Sequence, residues 1–66
     1  MKREEVKELI KQYKDDGFPK LDICLKNNDI GVSNDDNIVF SENFLTISNS
    51  NYLFHIRYSA IEGICV

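Results

Sequence analysis

Glycine, histidine and cysteine are scarce in this chain of 66 residues, and the spacing of the few present excludes several classes of protein. The three glycines, Gly17, Gly31 and Gly63, are isolated from one another, so no glycine-rich loop is available to hold a phosphate group. No Gly-x-Ser-x-Gly segment marks a hydrolase nucleophile. We therefore expect that the protein is not an enzyme and that it holds no cofactor.

The chain also lacks the paired ligand motifs of a structural metal site. His55, Cys24 and Cys65 are the candidate zinc ligands, but neither a C-x-x-C pair nor an H-x-x-x-H pair is present. We expect no metal site, with His55 on a strand face and the two cysteines as buried, inert thiols. A zinc site built from these three residues is the alternative.

Basic residues are few beyond the first sixteen positions. The net charge is −3, whereas proteins that bind nucleic acid without specificity usually have a basic surface. Only Lys20, Lys26 and Arg57 are basic from residue 17 onward, against six acidic residues: Asp22, Asp29, Asp35, Asp36, Glu42 and Glu62. Any RNA site in this part of the chain is therefore expected to be narrow and local.

No apolar run approaches the length of about 20 residues that a membrane span needs. Glutamates, and not an apolar stretch, follow the basic start Met1-Lys2-Arg3, so this segment is not a signal peptide. We expect a cytoplasmic protein with reduced thiols and no membrane association.

The N-terminal segment has the pattern of a helix, over about residues 2–16. Val6, Leu9, Ile10 and Tyr13 fall at i, i+3, i+4 and i+7, which forms one apolar stripe. Gly17 is placed to adopt the left-handed conformation that ends a helix, and Phe18 can then pack back on Tyr13. We expect this helix to cover one open end of a sheet, and a partner-binding surface is the alternative.

The rest of the chain has the pattern of short strands. Extended apolar segments cover residues 21–26, 30–32, 38–40, 44–48, 52–58 and 60–66, and polar loops join them. We predict about five strands within residues 20–66, in a single domain that spans residues 1–66. Short links favour an antiparallel meander, and its closure into a strongly bent five-stranded barrel would remove exposed strand edges.

Two kinds of side chain in the strand-rich region suggest a binding site. Aromatic residues such as Phe44 can stack on bases, although strand aromatics belong more often to a core or an interface. Arg57 can clamp an anion or stack on a base. The alternative is an ion pair between Arg57 and Glu42, Glu62 or a neighbouring subunit.

The order of helix and strands, together with two short segments, resembles the Sm-like family. Ile56 and Arg57 match the Ile-Arg-Gly turn of its second motif, with Tyr58 in the glycine position, and Ile61 and Ile64 match the closing apolar pair. The first motif is matched in part, by Val39, Ser41, Asn43, Phe44 and Ile47.

The resemblance implies a mostly β fold with one N-terminal helix and a strongly bent five-stranded Sm-like barrel. It also implies a ring of subunits joined by edge pairing between the fourth strand of one copy and the fifth strand of the next. Interface residues would then be Tyr52, Phe54, Ile56, Ile61 and Ile64.

The resemblance implies further that Asn43, Phe44 and Arg57 bind single-stranded RNA. We therefore predict a self-assembling regulatory protein that binds single-stranded RNA. The alternative is a structural module that binds a protein partner through its strand edges without nucleic acid.

Overall fold

The computed structural model describes all 66 residues, and the prediction of a mostly β protein with one N-terminal helix is confirmed. In chain order the elements are α1 (Arg3–Asp15), β1 (Lys20–Leu25), β2 (Asp29–Ser33), β3 (Asn37–Phe40), β4 (Phe44–Ser48), β5 (Leu53–Arg57), a 3₁₀ helix (Tyr58–Ala60) and β6 (Ile61–Cys65).

Helix α1 ends as its sequence predicts. Gly17 has a φ of 87°, a conformation that costs little without a side chain. The backbone N–H of Gly17 donates to the Lys14 carbonyl and that of Phe18 to the Tyr13 carbonyl, which is the Schellman arrangement. The rings of Phe18 and Tyr13 meet edge to face with centroids 5.9 Å apart. The helix end is therefore fixed by contacts within six residues of sequence.

The strands form two antiparallel sheets. Sheet I has the order β2-β1-β6, and sheet II has the order β3-β4-β5. In sheet I, Leu21 pairs with Val32 and Ile23 lies between Ile30 and Ile64. In sheet II, Leu45 lies opposite both Phe40 and Ile56. Each sheet thus presents one apolar face, because opposed residues of an antiparallel pair point to the same side.

A single cluster of buried apolar side chains joins the two sheets and the helix. Its members are Val6, Ile10, Leu21, Ile23, Val32, Leu45, Ile47, Ile56, Tyr58, Ile61 and Ile64. Complete burial of one such aliphatic side chain contributes about 1.5–3 kcal/mol to stability.

The prediction of a strongly bent five-stranded barrel was wrong. The protein has six strands in two separate three-stranded sheets, and neither sheet closes into a barrel. The physical reason lies in the polar segment after Ser33. The backbone N–H of Asp36 donates to the Ser33 carbonyl, and the Asp36 carboxylate accepts from the Ser33 N–H, which makes a tight turn. This turn separates β2 from β3 and sends the chain from one sheet to the other.

The single α-helix is neither long enough nor apolar enough to cross a membrane.

Candidate functional site

The three residues predicted to bind RNA line one cavity. This cavity has a volume of about 580 Å³, and we call it the Arg57 cavity. Its lining residues are Lys2, Arg3, Glu42, Asn43, Phe44, Arg57, Tyr58 and Ser59. Ligand pockets in proteins usually occupy about 300–1,000 Å³, so the space suits a small ligand or one unit of a polymer.

Strand pairing places Phe44 beside Arg57. The two residues are opposite each other where β4 begins and β5 ends, so their side chains emerge on the same face of sheet II. Phe44 is 38% exposed, which leaves part of its ring available to a ligand.

His55 holds one side of the Phe44 ring. The two rings meet edge to face, with centroids 5.3 Å apart and an angle of 84° between their planes. The Nδ1 atom of His55 is in turn 3.0 Å from the Thr46 hydroxyl. These contacts restrict how Phe44 can turn, so the ring is positioned before any ligand arrives.

Tyr58 ties together the two segments that carry the site. Its hydroxyl donates to the Ser41 carbonyl at 2.7 Å, and the Ser41 N–H donates to the Phe44 carbonyl at 3.0 Å. The Tyr58 side chain itself is buried in the core. The turn that contains Asn43 is therefore held at a fixed distance from the 3₁₀ helix that follows Arg57.

The N-terminus adds two cations that sequence reasoning missed. The ammonium group of Met1 donates to the carbonyls of Tyr58, at 2.9 Å, and Ile61, at 2.7 Å. This anchor brings Lys2 and Arg3 to the rim of the Arg57 cavity. The sequence signal for these two cations is the basic start Met1-Lys2-Arg3 of a chain with a net charge of −3.

The net charge of the residues that line the cavity has the opposite sign to the net charge of the whole protein. Three cations and one carboxylate, that of Glu42, line it, for a formal local charge of +2 against −3 for the chain. The only ion pair within the chain joins Arg3 to Glu4. Arg57 thus has no carboxylate partner in this chain, and the ion pairs with Glu42 and Glu62 considered above do not form.

The residues predicted to form an oligomer interface occupy two different environments. The side chains of Ile56, Ile61 and Ile64 are buried in the core of the same chain, whereas Phe54 is 38% exposed at the edge of sheet II. Tyr52 is half-buried and packs against Phe54, with ring centroids 4.9 Å apart. Because three of the five side chains are buried, pairing between copies would have to use the backbone groups of the edge strands β5 and β6. The interface stays a prediction.

The hydroxyl of Tyr52 belongs to a polar network outside the Arg57 cavity. The buried carboxylate of Asp36 accepts from this hydroxyl, from the Asn49 side-chain amide and from the Ser33 N–H. The hydrogen bond from Tyr52, followed by those from Asn49 and Ser33, holds the pKa of Asp36 below its ordinary value of 3.8. The same bond raises the pKa of Tyr52. Every polar group of this network has a hydrogen-bond partner within the chain. The network therefore stabilises the fold and offers no free group to a ligand.

The three candidate zinc ligands do not come together. His55 lies in sheet II, while Cys24 and Cys65 lie in sheet I. No group of three or more His, Cys, Asp or Glu side chains is arranged to hold a metal ion. The expectation of two buried thiols was wrong, because Cys24 is only half-buried and Cys65 is exposed.

No family model, curated protein or solved structure matches this chain.

Proposed function

We propose that this protein binds single-stranded RNA, with one or two nucleotides seated in the Arg57 cavity. The observation that carries the proposal is the meeting of an exposed aromatic ring, a side-chain amide and three cations around one space. The resemblance of the segments around Phe44 and Arg57 to the Sm-like motifs supports the same ligand.

Each side chain has a distinct role in this proposal. Phe44 stacks on a base, an interaction worth about 1–3 kcal/mol per base. The amide of Asn43 both donates and accepts, so it can pair with the edge of that base. Arg57 contacts the adjacent phosphate with a planar group that presents several donors in a fixed geometry. Lys2 and Arg3 lie at the rim, where each can attract a further phosphate of the strand.

The charge distribution favours a short single strand over a duplex. A duplex presents closely spaced phosphates along its whole length, and the acidic remainder of this chain would repel them. A flexible single strand can place a few phosphates near the cations and direct the rest away. The base must also be unpaired to stack on Phe44.

Self-association is a second part of the proposal. Strands β5 and β6 each pair on one side only, so each leaves a row of backbone groups free. Exposed apolar side chains, those of Val39, Leu53 and Phe54, accompany the outer strands of sheet II. Pairing of such edges between copies would bury these groups and would repeat the Arg57 cavity around the assembly. A cytoplasmic location belongs to the same proposal.

Fluorescence anisotropy with labelled hexauridylate and hexaadenylate at low salt tests RNA binding. We expect saturable binding by the wild type and an affinity about 5- to 150-fold weaker for Phe44→Ala, which corresponds to the loss of one stacked base. Arg57→Gln should also weaken binding, because it removes a cation that lines the cavity. Lys20→Gln is its matched control, because it removes one charge from β1 at a residue that lines none of the cavities. Absence of binding by the wild type at tens of micromolar protein would remove the RNA proposal.

Purification from the native host, with and without nuclease treatment, distinguishes RNA binding from the alternative of a protein-binding module. If strand edges recruit a protein partner, that partner should co-purify from the native host equally well with and without nuclease treatment. If RNA is the ligand, nuclease should release the associated material.

A further inference from the structure

Two thiols lie side by side on the outer face of sheet I, away from the Arg57 cavity. Cys24 is in β1 and Cys65 is in the neighbouring strand β6, and their sulfur atoms are 3.4 Å apart. Both are free cysteines. The residue opposite Cys24 in the ladder is Gly63, while Cys65 lies opposite Asp22. The two cysteines are therefore diagonal neighbours on one face.

We propose that Cys24 and Cys65 are a redox-active dithiol that closes into a disulfide by exchange with a small-molecule disulfide such as oxidised glutathione. The product would join β1 to β6 across the face of sheet I.

The short distance between the two sulfur atoms favours closure. A disulfide has its sulfurs about 2.0 Å apart, so these atoms must approach by ~1.4 Å. Diagonal neighbours in a sheet are usually about 7–8 Å apart, which is wider than the Cα separation of about 4.4–6.8 Å in most disulfides, so the backbone beside Cys24 must shift as well. The ladder between β1 and β6 is also irregular between Cys24 and Leu25, where the register shifts. An irregular ladder gives the backbone beside Cys24 more freedom to adjust than a regular one.

Exposure and hydrogen bonding distinguish the roles of the two thiols. Cys65 is exposed and can meet an incoming disulfide, whereas Cys24 is half-buried. The hydrogen bond to Cys65, followed by burial and by the carboxylate of Asp29, raises the pKa of Cys24 to about 11. Because Cys65 is the more accessible thiol, it is the first nucleophile, and Cys24 is the resolving thiol.

The exchange proceeds in two balanced steps. The Cys65 thiolate attacks one sulfur of oxidised glutathione and expels one glutathione thiolate, which leaves a mixed disulfide on Cys65. Cys24 then gives up its proton to the solvent, its sulfur attacks the Cys65 sulfur, and the second glutathione thiolate leaves. Two protein thiols are oxidised to one disulfide, and one glutathione disulfide is reduced to two thiols.

Formation of the disulfide would restrain β6, the strand that follows the candidate site in sequence. β6 is an edge strand held by β1 on one side only. Its first residue, Ile61, accepts a hydrogen bond from the same N-terminal ammonium that positions Lys2 and Arg3. A covalent link between residues that are 41 apart in sequence should hold β6 against local opening and should raise the melting temperature.

The test incubates the purified wild type, Cys24→Ser and Cys65→Ser in glutathione buffers, followed by acid quenching, alkylation and intact-mass measurement. We expect the oxidised wild type to lose two hydrogens, to resist alkylation at both cysteines and to remain free of intermolecular disulfides. Cys24→Ser should accumulate the mixed disulfide on Cys65. Cys65→Ser should react at least about tenfold more slowly than the wild type, because the one thiol that remains is half-buried and less accessible to glutathione disulfide.

Three results would overturn the proposal. They are a wild type that stops at the mixed disulfide, a wild type that forms only intermolecular disulfides, and a wild type that reacts no faster than Cys65→Ser. The wild-type measurement decides the matter by itself if either serine variant fails to fold. The melting temperature of the oxidised wild type provides a second readout, and no increase over the reduced form would contradict the link between β1 and β6.

Discussion

The salt dependence of RNA binding is the prediction that the geometry of the Arg57 cavity makes most directly. For single strands, the slope of log K against log salt concentration is about −0.7 for each phosphate that the protein neutralises. Three cations line the cavity, so the steepest slope expected is about −2.1. Arg3 already pairs with Glu4, and if it contributes nothing the slope falls to about −1.4.

A fourfold increase in salt, from 50 to 200 mM, should then weaken binding by about 7- to 20-fold. Replacement of Arg57 by Gln should lower the affinity and reduce the steepness of the slope by about 0.7, because one phosphate contact is lost. Lys20→Gln makes the same change of charge in β1 and should leave the slope unaltered.

Anisotropy titrations of hexauridylate at four salt concentrations measure all three slopes. The reasoning is refuted if Arg57→Gln retains the wild-type slope, since the bound phosphate would then lie elsewhere. A wild-type slope close to zero would also refute it, because the cations of the cavity would then neutralise no phosphate.

Three further predictions concern stability and assembly. The lowered pKa of Asp36 means that its carboxylate stabilises the fold at pH values above 3.8 and that this stabilisation is lost as the pH falls through the lower pKa of the folded state. Asp36→Asn should therefore lower the urea midpoint at pH 7 more than at pH 2, and equal losses at both would contradict this role. Ile23→Ala should cost about 2–5 kcal/mol in urea unfolding, because Ile23 is completely buried, and a loss below about 1 kcal/mol would show that the core does not depend on it. Light scattering after size-exclusion chromatography should give a mass several times 7.7 kDa, and Leu53→Lys should reduce it; a wild-type monomer at micromolar concentration would exclude self-association.

The parts of the fold that depend on neighbours in sequence were predictable. The apolar stripe of α1 and its glycine stop are local signals, and both Val6 and Ile10 are buried as the stripe requires. The pairing of Phe44 with Arg57 also agrees with the alternation of the two runs that became β4 and β5. In α1, β4 and β5 the spacing of apolar residues in the sequence agrees with the packing in the structure.

The arrangement of the sheets was not predictable, because it depends on contacts between distant residues. The turn before β3 is held by Asp36, whose partners Asn49 and Tyr52 lie in the connection between β4 and β5. Nothing in a polar loop sequence identifies the one carboxylate that will be buried. Local sequence signals therefore do not distinguish one bent sheet from two separate sheets.

The candidate site was predictable in part for the same reason. Resemblance to known motifs identified Asn43, Phe44 and Arg57. The contribution of Lys2 and Arg3 depends on a hydrogen bond from the N-terminal ammonium to Tyr58, 57 residues away in sequence. No periodicity or motif reports such a contact, so these two cations became visible only in three dimensions.

The most direct test of the Arg57 cavity as an RNA site is a titration of isotopically labelled protein with hexauridylate, followed by NMR chemical shifts. The largest changes should occur at Asn43, Phe44, Arg57 and Ser59, which line the cavity on its two connected segments. Shifts confined to the lysines of α1, or the absence of any change at saturating RNA, would contradict the proposed site.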